Sequence, residues 1–180
     1  MSDKNAIVAV YDTHAEAEYA VKELQRAGFE MTKLSIVGKE YHSEQNIIGY
    51  YNAGDRMKSW GKRGAFWGGL WSLLSGAAFF VLPGIGPVVI AGPLASWVVG
   101  AMEGAAVVGG VSAIGAGLYS LGMPKNSIIK YDSALKADKF LLVAHGTATE
   151  VMSTKEILEL TEPDRLDTHL SEEPGALSAA

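Results

Sequence analysis

Glu103 is the one formally charged residue between Gly64 and Pro124, a tract of 61 residues; the other 34 of the 35 charged residues lie in the remaining 119. A carboxylate in such surroundings is costly, and by default it marks a group that titrates protons, contacts an ion or clasps a neighbouring subunit. With no second charged residue in the tract, Glu103 suits an oligomer interface or a water-facing position better than a transport path. A Glu103-dependent transporter or channel-like assembly stands as an alternative.

The other chemistry-bearing residues are sparse. His14, His42, His145 and His169 show no paired metal-ligand spacing and read as surface or turn residues. Gly84 with Gly86, and Gly115 with Gly117, look superficially like phosphate loops, but neither pair follows a strand and opens a helix with the partners a phosphate needs. No cysteine is present, which excludes disulfides and thiol chemistry. The net charge of -5 argues against nucleic-acid binding. No catalytic, cofactor-binding or metal-binding residue is therefore assigned, and the protein is expected not to be an enzyme.

Two similar units flank the tract. Residues 6–11 form a β-branched run, Thr13 and Glu16 have capping-box spacing, and Ala17, Ala20, Val21, Leu24 and Ala27 recur at helical spacing up to a stop at Gly28. Leu34–Val37 reads as a second strand. The order returns at Phe140–Ala144, Thr147, Glu150, Val151, Ile157 and Leu158, with Arg165–Leu170 as a weak closing strand and an extra amphipathic helix opening near Pro124. Two βαβ-like halves in a chain of one domain's length predict an α+β, ferredoxin-like sandwich with a four-stranded antiparallel sheet. The N-terminal apolar run is cut short at Asp12 and does not read as a signal peptide.

The tract itself predicts a helical hairpin. Ala65–Leu82 is 18 uncharged residues, about 27 Å as a helix against a bilayer core of about 30 Å. Pro83, Gly84, Gly86, Pro87, Gly92 and Pro93 then read as a turn, and apolar residues resume from Leu94. Small residues repeat every fourth position, at Gly64, Gly68, Ser72 and Gly76 and again at Gly92, Ser96, Gly100 and Gly104. That is the spacing of a glycine zipper, which lets helix backbones approach closely. Arg56, Lys58, Lys62 and Arg63 precede the hairpin and Lys125 and Lys130 follow it, placing both flanks and both termini on the cytoplasmic side. Trp60, Trp67 and Trp71 could anchor the hairpin at the headgroups, although Trp67 and Trp71 serve equally well as core. A third apolar stretch, Val111–Leu121, would be re-entrant, interfacial or packed on protein.

The stretches "AIVAVYDTHAEAEYAVKELQRAGF", "LSIVGK" and "MPKNSIIKYDSALKADKFLLVAHG", with the glycine-rich stretch between the last two, resemble bacterial proteins with the general stress protein 17M-like (YflT-like) domain, in particular membrane-associated members with an inserted hydrophobic region. The resemblance runs over roughly residues 5–160 and is most specific at Pro124, Tyr131, Ala137 and Phe140–Gly146. It implies a stress-associated role and supplies no catalytic residues.

The expected organisation is a first half with a basic linker (1–60), the hydrophobic hairpin (61–123), the second half (124–170) and a flexible tail (171–180). The expected function is that of a non-enzymatic stress-response protein of the bacterial inner membrane, homo-oligomeric through small-residue packing, with lipid as partner and no cofactor. The alternative is a soluble oligomer whose apolar interior holds lipid or another hydrophobic ligand.

Overall fold

The computed structural model describes residues 5–39, 77–82, 84–103 and 112–171. The first half is strand β1 (Asn5–Tyr11), helix α1 (His14–Arg26), a 3-10 turn (Met31–Lys33) and strand β2 (Leu34–Lys39). The second half is helix α4 (Lys125–Lys136), strand β5 (Phe140–Gly146), helix α5 (Ala148–Glu159) and strand β6 (Arg165–His169). Between them the described residues form strands β3 (Ala77–Leu82) and β4 (Gly86–Ala91) and helices α2 (Leu94–Glu103) and α3 (Ala113–Ser120).

Both capping boxes form as the sequence predicts. The Thr13 N–H donates to the Glu16 carboxylate at 3.0 Å while the Glu16 N–H donates to the Thr13 hydroxyl at 3.3 Å. Thr147 and Glu150 repeat the exchange at 2.8 and 3.3 Å. Each box satisfies orphan amides of a first helical turn and so sets where α1 and α5 leave the sheet. At the other end of α1, Gly28 takes φ 79° and ends the helix.

Among the described residues the fold is α+β, with one sheet of six strands in the order β3-β4-β2-β5-β1-β6. Every neighbouring pair is antiparallel. β5 lies between β1 and β2, and β1 lies between β5 and β6, so each βα half is split by a strand of the other. The two caps 134 positions apart thus belong to interleaved halves of one sheet.

Over residues 77–91 the structure corrects the helical reading of the tract. The segment expected to be the end of one helix, a turn and the run into the next is a β-hairpin, with Phe80 opposite Val88 and Ala78 opposite Ile90, and β4 adds it to the edge of β2. Two physical reasons favour this. Ala-Ala-Phe-Phe-Val-Leu and Gly-Pro-Val-Val-Ile-Ala are rich in β-branched and aromatic residues, and a fully buried strand is uncharged just as an apolar helix is. Gly84, third in the turn closed by the Ile85 N–H to Leu82 carbonyl bond, takes the positive φ (80°) that suits glycine there. No helix among the described residues is long and apolar enough to cross a membrane. Ala65–Gly76, the rest of the predicted first helix, lies outside the described residues.

Helices cover both faces of the sheet, and the described helices of the insert lie on one of them. On one face, α1 and α5 pack Ala17, Ala20, Val21, Leu24, Val151 and Leu158 against Ile7, Ala9, Leu34, Ile36 and Leu142. On the other face, Val8, Val10, Val37, Ile90, Leu141 and Val143 meet Leu94 and Val98 of α2, Ile114 and Leu118 of α3, and Ile128, Tyr131 and Leu135 of α4. Leu94, Val98, Ile114 and Leu118 are fully buried. At about 1.5–3 kcal/mol each, their burial is as large as the whole stability of an ordinary domain. The described part of the insert belongs to the domain's core, and α3 (Ala113–Ser120) packs on protein, one of the options for Val111–Leu121.

Candidate functional site

Polar side chains that could do chemistry meet where α4 packs against the β6 edge of the sheet. Helical spacing turns Ile128, Tyr131 and Leu135 onto the sheet, and strand alternation turns Asp167 and His169 of β6 toward Tyr131. Tyr131 is fully buried, and its hydroxyl donates to Asp167 Oδ2 at 3.1 Å and lies 2.7 Å from His169 Nε2. A phenol has one proton, so with that proton on the Asp167 bond the imidazole carries its own on Nε2 and donates to the phenol oxygen. The two rings meet edge-on, 6.2 Å between centres.

Burial, then the negative charge of Asp167, push the Tyr131 phenol far above its ordinary range. Burial holds His169 below the ordinary imidazole value, with Asp167 opposing it. Near neutral pH the cluster is a protonated phenol between a carboxylate and a neutral imidazole. This arrangement clamps the last strand to the helical layer.

Ala6 of β1 stands opposite both His145 of β5 and His169 of β6, so two histidines distant in sequence share one row across the sheet. Trp97 of α2 packs edge-on against His145 at 5.0 Å. Among the described residues no three His, Asp or Glu side chains converge to hold a metal ion. Asp132, next to Tyr131, accepts from the Ser112 hydroxyl at 2.6 Å, and Ser112 in turn caps α3 by accepting from the Gly115 N–H at 3.0 Å.

His169 gives the clamp a pH signature. Its folded value lies below the roughly 6.5 of an unfolded histidine, so below that pH the unfolded chain takes up protons first. The contribution is fully present above about pH 6.5 and is lost as pH falls toward the folded value. Urea midpoints measured from pH 7.5 to pH 5 should decline more steeply for the natural chain than for His169→Gln; equal slopes would remove His169 as the cause.

The residues singled out in the tract are dispersed. Gly92 sits in the turn before α2 at φ 95°, Ser96 and Gly100 are exposed on α2, and Gly100 has open space where a side chain would begin. Glu103 is the last residue of α2. Gly64, Gly68, Ser72, Gly76, Gly104, Trp60, Trp67 and Trp71 lie outside the described residues. The close approach of α2 and α3 is made by Gly117, where an added Cβ would stand 3.0 Å from Val98 Cγ2. Sequence reading missed it because Gly117 belongs to neither four-residue series. It also missed Ser35, whose buried hydroxyl accepts from the Leu94 N–H at 3.0 Å and caps α2 from the strand next to β4. Tyr131 stands out by resemblance, but Asp167 carries no signal in the sequence, and His169, which reads there as a surface or turn residue, is instead half-buried on β6 against the Tyr131 hydroxyl.

These elements define an α+β domain with helices on both faces of an antiparallel sheet. Residues 6–80 match the family model described as "Heat induced stress protein YflT domain", so the resemblance to the general stress protein 17M-like family holds over that stretch and points to a role in the stress response. The match ends at Phe80 of β3; Pro124–Gly146 lies beyond it. No curated protein and no solved structure matches the chain.

Proposed function

We propose that this is a non-enzymatic stress-response protein that works by association: a ferredoxin-like core that attaches to the face of the bacterial inner membrane and assembles with copies of itself. The heat-induced stress family matched by residues 6–80 supports the stress role. The use of the Tyr131 hydroxyl by both Asp167 and His169 supports a structural reading of the polar cluster.

The observation that carries the mode of attachment is that residues 77–103 belong to the sheet and its cover. The uncharged remainder of the first predicted helix, Ala65–Gly76, is 12 residues, which as a helix would reach about 18 Å, short of the roughly 30 Å of a hydrocarbon core. The stretch still holds Trp67 and Trp71 and follows Trp60, Arg56, Lys58, Lys62 and Arg63, a composition suited to lying in an anionic interface. A surface attachment also leaves both halves of the split sheet on the same side without any crossing. Self-assembly is assigned to the small residues Ser96 and Gly100, exposed on α2.

Cell membranes washed with alkaline carbonate should release the protein, and purified protein should float with vesicles containing anionic lipid and not with neutral ones. Retention in the carbonate pellet would restore a spanning hairpin, and recovery wholly in the aqueous fraction, with no flotation, would overturn membrane attachment.

A further inference from the structure

We infer that the outer edge of β3 is a self-pairing surface, where a second copy of this chain adds its own β3 antiparallel and joins two six-stranded sheets into one. This deepens the homo-oligomeric part of the proposed function by naming a surface other than the small-residue face of α2.

β3 is one end of the sheet, and among the described residues no strand pairs with its outer side. An open edge presents a row of unpaired backbone donors and acceptors, and proteins ordinarily blunt it with charge, proline or a bulge. The opposite edge, β6, carries Arg165, Asp167 and His169 in five residues. β3 is Ala-Ala-Phe-Phe-Val-Leu, with no charge and no proline, and its register against β4 runs without interruption from Ala77 to Leu82. Val81 is 69% exposed, an apolar β-branched side chain facing solvent beside that edge.

Pro87 identifies the backbone groups on offer. Val81 stands opposite Pro87, which has no N–H, so this pair cannot exchange both ladder bonds. Antiparallel pairs alternate between bonded and non-bonded, which turns the N–H and C=O of Val81 outward, together with those of Phe79 and Ala77. A two-fold axis through Phe79 then sets Phe79 against Phe79 of the second copy and Val81 against Ala77 of the second copy. Such a seam is self-complementary, with about six backbone hydrogen bonds. A second copy fits because both strands are then uncharged and equal in length, and because Val81 on each side is covered.

The test is the mass of the purified full chain by light scattering over a hundredfold range of concentration, compared with Val81→Pro and Val81→Lys. Pro removes an N–H that faces the open edge and leaves the hairpin's own ladder intact, and Lys supplies the missing charge at an exposed site. The natural chain should be a dimer at the upper concentrations, and both variants should raise the dissociation constant at least tenfold with an unchanged circular dichroism spectrum. Amide exchange at Ala77, Phe79 and Val81 should be slow in the dimer and fast on dilution. A chain that stays monomeric throughout, or a dimer that both variants leave intact, overturns the edge pairing. If assembly survives both Val81 variants and is lost in Gly100→Leu, the edge fails while the α2-mediated oligomer stands. Loss with the Val81 variants alone supports the edge and removes the α2 face.

Discussion

Replacing Gly92 by alanine is expected to destabilise the domain by about 4 kcal/mol, at the severe end for a single methyl group. Gly92 has φ 95°, where a side chain costs about 1–2 kcal/mol in backbone strain alone. The rest comes from collision: the new Cβ would stand 2.2 Å from the Leu34 carbonyl oxygen and 2.8 Å from Ser35 Cα. Neither is the end of a flexible side chain. Relief requires β2 and the turn to separate, which disturbs the Ile36–Ala91 pairing and the bond from the Leu94 N–H to the Ser35 hydroxyl that starts α2. In a domain of this size the melting temperature should fall by roughly 8–16 °C. Gly28→Ala is the control, because Gly28 has φ 79° but nothing within 4 Å of its added Cβ, and it should cost only about 1 kcal/mol. Equal urea midpoints for the two variants would show that the junction between insert and sheet is not held at Gly92.

Tyr131→Ala should cost about 3–5 kcal/mol, the range for emptying a buried aromatic site. The ring packs with Ile128, Leu135, Val8 and Val143 in the layer between the sheet and the insert. Tyr131→Phe keeps that packing and removes the hydroxyl that joins Asp167 and His169, both of which are half-buried and can turn to water. Its cost should be about 1 kcal/mol, with faster amide exchange along β6. If the Phe variant is as unstable as the Ala variant, the hydrogen-bond clamp outweighs the ring and the ordering of these effects is wrong.

The legibility of the fold divides by distance along the chain. The capping residues, Gly28, the helix at Pro124 and the strands β1, β2, β5 and β6 are all encoded within a few residues of where they act, and each was readable from spacing. The hairpin β3–β4 was misread because a run of uncharged residues satisfies a buried strand and an apolar helix equally, and its length favoured the helix. The outcome was decided by the unpaired edge of β2, which gives Val88–Ala91 a ladder to join. Gly117 and Ser35 were overlooked for the same reason: each matters through a partner, Val98 or Leu94, on another element. In the polar cluster only Tyr131 stood out in the sequence; the parts of Asp167 and His169 depend on α4 being laid against β6, which no local spacing records.

By itself the sequence determined the two interleaved βα halves, their capped helices and the presence of an uncharged insert, since local hydrogen bonding and side-chain periodicity are written in neighbouring residues. Only the tertiary structure decided where that insert goes. Apolar surface is driven from water without regard to direction, and in the described residues the second face of the sheet is the apolar partner that the insert finds.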